Sequence, residues 1–143
     1  MAPKRDIAHH LADMLQAIGE IEQLIAGKTL AQYKRDFATR RAVERCIEIV
    51  SEAARGIPAA HTNRHPEIPW KSVKGIGNVL RHEYHHVADG IIYQVAVRHV
   101  PALKAAVEAI QAMSASQAAG KPERAAKSAK RVRAKAPGKK APR

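Results

Sequence analysis

From Asp6 to Ala26 the apolar residues Ile7, Leu11, Met14, Ile18, Ile21 and Ile25 recur at spacings of 4, 3, 4, 3 and 4. That period predicts an amphipathic helix with one narrow buried seam, Asp6 standing at its N-cap and Gly27 just past its end. So strict a seam packs inside a domain or zips against a second chain. Thr29 followed by Gln32 has the form of a capping box, so a second helical segment starts near Leu30. From Asp36 through Arg55 the residues Phe37, Val43, Cys46, Ile47, Val50 and Ala54 recur at helical spacing. Arg40, Arg41, Glu44, Arg45, Glu48 and Glu52 fall mainly on the other side, where i,i+3 and i,i+4 ion pairs form. Gly56 and Pro58 end this helix.

Residues 57–69, IPAAHTNRHPEIP, contain three prolines and no period, and read as a connecting loop. Long ordered loops frequently carry function, which makes this one an expected wall of a neighbouring site. Pro69 and Trp70 open a further helix. Val87, Ile91, Ile92, Val95 and Val97 make the next helix, opened by Asp89, and Pro101 restarts a last one with Leu103, Val107, Ile110 and Met113 inward. From Ser114 the sequence collapses to Ala, Lys, Arg, Pro, Gly and Ser, which cannot bury enough apolar area to offset chain entropy. The reading is therefore an all-α, up-and-down bundle of about five helices over residues 1–113, with a disordered basic tail over 114–143.

Charge sharpens that division. The 143 residues carry 25 Lys and Arg against 13 Asp and Glu, a net +12. Ten of the bases follow Met113 against the single acid Glu123, so the tail holds +9, while 15 bases and 12 acids leave residues 1–113 at +3. The tail is a polycation suited to sequence-independent, salt-sensitive nucleic-acid binding. The folded part must be read from its own residues. Aromatic residues make up 3%, so the core is aliphatic. One cysteine, Cys46, excludes an internal disulfide and sits in a buried helical pattern. No run approaches the ~18 apolar residues of a membrane span, and the opening MAPKRDIAHH has no secretory apolar segment. A cytoplasmic protein with no membrane contact is expected.

The chemistry concentrates between Trp70 and His86, in WKSVKGIGNVLRHEYHH. Lys71, Lys74, Arg81, His82, Tyr84, His85 and His86 fall within a few helical turns, and Gly75 and Gly77 leave backbone room for a phosphate. Four chemistries use such residues. His82 and His86, at i and i+4, share a helix face as a metal-ligand pair does, although HxxHH differs from HExxH and no third ligand stands nearby. An imidazole, with its unperturbed pKa of ~6.5, can take a proton from an RNA 2′-hydroxyl or give one to the leaving 5′-oxygen, while Arg81, Lys71 or Lys74 stabilises the charge on phosphate. The same cations can bind RNA without cleaving it. Lastly, the histidines can simply face solvent.

IEQLIAGKTLAQY, AVERCIEIVSEAA, PEIPWKSVKGIGN, HEYHHVADGIIYQV and VPALKAAVEAI, in that order, resemble the HepT-like ribonuclease family of the HEPN superfamily across residues 6 to about 112. That resemblance implies a metal-independent endoribonuclease toxin without cofactor, a homodimer with a composite active site, and a nucleotidyltransferase antitoxin of the MntA kind as partner beside RNA. The family motif is an Arg-Asn pair, a few residues, then His-x-Tyr. Asn78, His82 and Tyr84 match it, Tyr84 as acceptor of inhibitory AMP, but Gly77 stands where the Arg belongs. Arg81, one turn after Gly77, or Lys74, one turn before, is the substitute cation the reading offers. The alternative is a weakened or inactive HEPN-type dimer that binds RNA or a protein partner.

Overall fold

The computed structural model describes residues 6–83 and 87–134, with no description of the side chains of Glu83 and residues 118–134. Among the described residues the chain is all helix: α1 (Ile7–Ile25), α2 (Leu30–Arg35), α3 (Phe37–Ala54), α4 (Ala59–Thr62), α5 (Trp70–Glu83), α6 (Asp89–Gln94), a π-helical turn over Val95–His99, and α7 (Val100–Ala134). It divides into two units, Met1–Gln111 and Ala112–Arg143. Within the described residues no helix is long and apolar enough to cross a membrane.

In the first unit α1 packs along α3, and α3 packs along α5 on its other side. The seam of α1 is buried as Leu11, Met14, Ala17, Ile18 and Ile21, against Val43, Cys46, Ile47, Val50 and Ala54 of α3. Asp6 occupies the N-cap position of α1 but its side chain makes no capping bond. Gly27, at φ +69°, closes the helix in the left-handed region that a side chain disfavours. The capping box at Thr29 is complete: its hydroxyl accepts from Gln32 N–H (3.2 Å) and its own N–H donates to Gln32 Oε1 (2.9 Å). Asp36 then caps α3, accepting from the backbone N–H of Thr39 (3.1 Å), the Thr39 hydroxyl (2.6 Å) and the Lys28 ammonium (3.0 Å). Cys46 is buried as the sequence implies. Burial, reinforced by the bond its thiol donates to Glu20 (3.4 Å), pushes that thiol up to about 11.

Several expectations need correction. Phe37 is 69% exposed. Two positions from Thr39 on a helix is nearly the opposite face, and Thr39, Val43, Cys46, Ile47 and Val50 set the inward stripe. The loop after α3 contains a helical turn, α4, because Ala59 and Ala60 form helix readily behind Pro58, whose carbonyl accepts from His61 N–H (3.0 Å). Pro101 does not break the chain into two helices. The π-turn before it widens the backbone where the proline ring would meet a preceding carbonyl and where its missing N–H leaves no i,i−4 bond. The buried stripe there runs Ile92, Ala96, Val100, Leu103, Ala106, Val107 and Ile110, leaving Ile91 and Val97 exposed. In the second unit Met113 is exposed as well, and the backbone over residues 112–134 is helical. Alanine, lysine and arginine are strong helix formers, so this backbone state needs no packed core.

The start of α6 is tied back to α3 by Arg40 and Asp89 (3.1 Å). Tyr93 donates its hydroxyl to Lys28 O (2.8 Å) and tilts against buried Tyr33 with ring centroids 5.5 Å apart. These two links fix where the chain re-enters the bundle after α5. On α3 the surface pairs form at i,i+3, Arg41 with Glu44 (3.1 Å) and Arg45 with Glu48 (3.2 Å).

Candidate functional site

The site is built on α5, and the loop before it sets where that helix begins. The Trp70 indole donates to His65 O (3.0 Å), and Pro69 O accepts from Val73 N–H (3.0 Å), closing the first turn. Leu80 is buried, and Trp70, Val73 and Ile76 pack against the core. Steps of three and four residues then carry Lys71, Lys74, Asn78, Arg81 and His82 onto one face. Lys71, Asn78, Arg81 and His82 are exposed and Lys74 is half-buried. No acid lies between Trp70 and His82, so every charge that this stretch of α5 contributes to the face is basic. Arg81 and His82 also occupy the last turn, where cations complement the helix dipole.

The structure therefore brings Asn78, His82, Arg81, Lys71 and Lys74 onto a single accessible surface, Asn78 and His82 being one turn apart. Tyr84, His85 and His86 lie outside the described residues. Among the described residues no three His, Cys, Asp or Glu side chains gather as metal ligands would.

Two residues that sequence reading left aside touch this helix from α3. Ser51, 2% exposed, donates its hydroxyl to Lys74 O (3.0 Å) and accepts from Gly77 N–H (3.0 Å). Arg55 donates through Nε to the same Lys74 carbonyl (3.2 Å), which adds an exposed cation beside the basic face. Neither carries a local signal, since Ser51 is one small residue in an apolar stripe and Arg55 resembles any helix-end base.

Gly77 itself is buried against α3. A Cβ built there would lie 2.8 Å from Ser51 Oγ and 2.9 Å from Ser51 Cβ. The expectation that Gly77 opens backbone to a phosphate is thus overturned, because its open side faces Ser51. Gly75 has open space where a Cβ would go.

The end of the 57–69 loop, expected as a wall of this site, borders a different space. Glu67, Ile68 and Pro69 line an apolar cavity of about 290 Å³ together with Val73, Ile76 and Leu103. Val73 and Ile76 belong to the core side of α5, away from Asn78 and His82.

The described residues of the first unit form a helical bundle that presents Asn78, His82 and the cations of α5 on one exposed side, consistent with a HEPN-like fold. The comparisons narrow it. A profile of the ribonuclease HepT-like family matches residues 14–110, and the chain belongs to that family. A Thermococcus cleftensis protein named as a ribonuclease HepT is 31% identical over 108 residues, 76% of this chain and 98% of that one. A Methanocaldococcus jannaschii protein named as an RNase is 29% identical over 99 residues, covering 69% and 82% of the two chains. Another from the same organism is 31% identical over 108 residues, 76% and 89%. No solved structure gives a significant match.

Proposed function

We propose that this protein is a metal-independent endoribonuclease whose site is the exposed face of α5. The observation that carries the proposal is the presentation of Asn78 and His82 one turn apart among Lys71, Lys74 and Arg81. His82 moves the proton of the 2′-hydroxyl or supplies that of the leaving 5′-oxygen, and Asn78 orients the phosphate or the imidazole. With Gly77 turned into the bundle, Arg81 or Lys74 supplies the charge that stabilises the phosphorane-like transition state. Family membership and relatives named as ribonucleases support this reading. An RNA with a single 2′-deoxy nucleotide at the mapped cleavage position tests it. Cleavage there stops if the 2′-hydroxyl is the nucleophile, and persists if a water or another group attacks.

In the same proposal the protein works as a cytoplasmic homodimeric toxin, held inactive by a nucleotidyltransferase partner that adds AMP to Tyr84. Tyr84 is two positions from His82 in the sequence, so an anionic adduct on it would bring bulk and negative charge to a basic segment. A mass increase of AMP units on Tyr84 after co-expression with such a partner is the expected sign. Unmodified Tyr84 under full inhibition contradicts it.

The second reading, an RNA-binding or partner-binding dimer that no longer cuts, is favoured by one observation: the residue at the motif Arg position is Gly77, seated against Ser51. It predicts salt-dependent RNA binding without turnover.

A further inference from the structure

We propose that Ser51 is a positioning residue for the α5 site, acting as one half of a lock whose other half is Gly77. Its catalytic meaning rests on the ribonuclease reading. Its structural meaning does not.

Packing alone would be served at position 51 by alanine or valine. The chain instead buries a hydroxyl at the centre of the α3–α5 contact and uses both its donor and its acceptor on α5, at Lys74 O and Gly77 N–H. In an α-helix the carbonyl of Lys74 is also the acceptor of Asn78 N–H. Ser51 therefore grips the turn on which Asn78 rides, and Arg55 Nε grips the same carbonyl from one turn further along α3. Held at these points, α5 can neither roll about its axis nor slide along α3, and Asn78 and His82 keep one aim. Catalytic geometry is sensitive to displacements of about 1 Å, which is what a supporting contact of this kind controls.

Gly77 makes the grip possible. With 2.8 and 2.9 Å from a built Cβ to Ser51 Oγ and Cβ, any side chain at position 77 requires Ser51 to give way: the hydroxyl could swing aside only by losing its bonds to α5, and Cβ moves only with the backbone of α3. Gly77 and Ser51 are a matched pair. The glycine at the motif Arg position thus has a job in this fold that an arginine could not share.

The test compares wild type, Ser51→Ala, Gly77→Ala and the double variant Ser51→Gly/Gly77→Ala as full chains, by thermal melting, amide hydrogen exchange and RNA cleavage. The double variant moves one carbon from α3 to α5, filling the space without the hydroxyl. Ser51→Ala is expected to speed exchange of the Gly77–His82 amides about tenfold and to lower kcat about tenfold with KM within about twofold. The double variant is expected to melt closer to wild type than Gly77→Ala alone, yet to keep the low kcat. Recovery of kcat together with stability in the double variant would reduce Ser51 to a space filler and overturn the proposal. Wild-type exchange in Ser51→Ala would overturn it equally. If the wild-type chain cuts no RNA, the ribonuclease reading falls, and the exchange arm alone decides the lock.

Discussion

Gly77→Arg completes the family motif on paper, and the structure predicts that it damages the protein. Ordinary carbon contacts lie at about 3.5–4.0 Å. The first side-chain atom at position 77 would stand 2.8 Å from Ser51 Oγ and 2.9 Å from Ser51 Cβ, with Glu48 Cα in ordinary contact at 3.6 Å. Overpacking of a well-filled contact costs about 1–3 kcal/mol, and a buried arginine stem adds to that. Replacing a mid-helix glycine returns about 0.5–1 kcal/mol of backbone entropy. The net is a loss of about 1–2 kcal/mol. For a folded unit of about 100 residues each kcal/mol moves Tm by about 4–8 °C, so a fall of roughly 5–15 °C is expected in thermal melts followed by circular dichroism. Cleavage should not rise. A Gly77→Arg protein that melts at or above wild type and cuts faster would show that position 77 faces substrate, and would refute the α3–α5 packing on which this account stands.

Other outcomes follow from the same structure. The Thr39 hydroxyl and N–H, with Lys28, hold the Asp36 carboxyl well below the usual carboxylate range, so its stabilising contribution is complete above about pH 4 and is lost as pH falls below that. Asp36→Asn should accordingly lower Tm at neutral pH and flatten its acid limb, and an unchanged Tm-against-pH curve would contradict this. Ile18, fully buried between α1 and α3, should cost about 2–5 kcal/mol as Ile18→Ala in denaturant unfolding. Ending the chain after Met113 removes ten bases and one acid, and should weaken RNA binding and reduce its salt dependence while the melting of the remaining helices stays near wild type.

The helices that sequence reading located best are those whose burial follows a strict local period. Leu11, Met14, Ile18 and Ile21 form the seam of α1, Thr29 and Gln32 close their capping box, and Leu103, Val107 and Ile110 turn inward as spaced. The basic face of α5 was legible for the same reason, because helical spacing alone aligns Lys71, Lys74, Asn78, Arg81 and His82. What periodicity could not show is decided by tertiary structure. Phe37 and Ile91 carry the right residue type at the wrong phase, and the π-turn before Pro101 shifts the phase at Val97 and beyond without a sequence mark. The lock is the clearest case. Ser51 and Gly77 are 26 positions apart, and neither signals that α3 and α5 approach closely enough for a hydroxyl to bridge them.

Whether His82, on the exposed face of α5, carries metal-independent RNA cleavage is open to a direct measurement. Purified wild-type and His82→Ala chains, freed of metal by a chelator, should be incubated with RNA and their products resolved at matched concentration. Wild-type cleavage is expected to survive chelation and to fall at least ~100-fold in His82→Ala, as loss of a general acid or base does. Equal cleavage by His82→Ala, or cleavage that chelation abolishes, would contradict it.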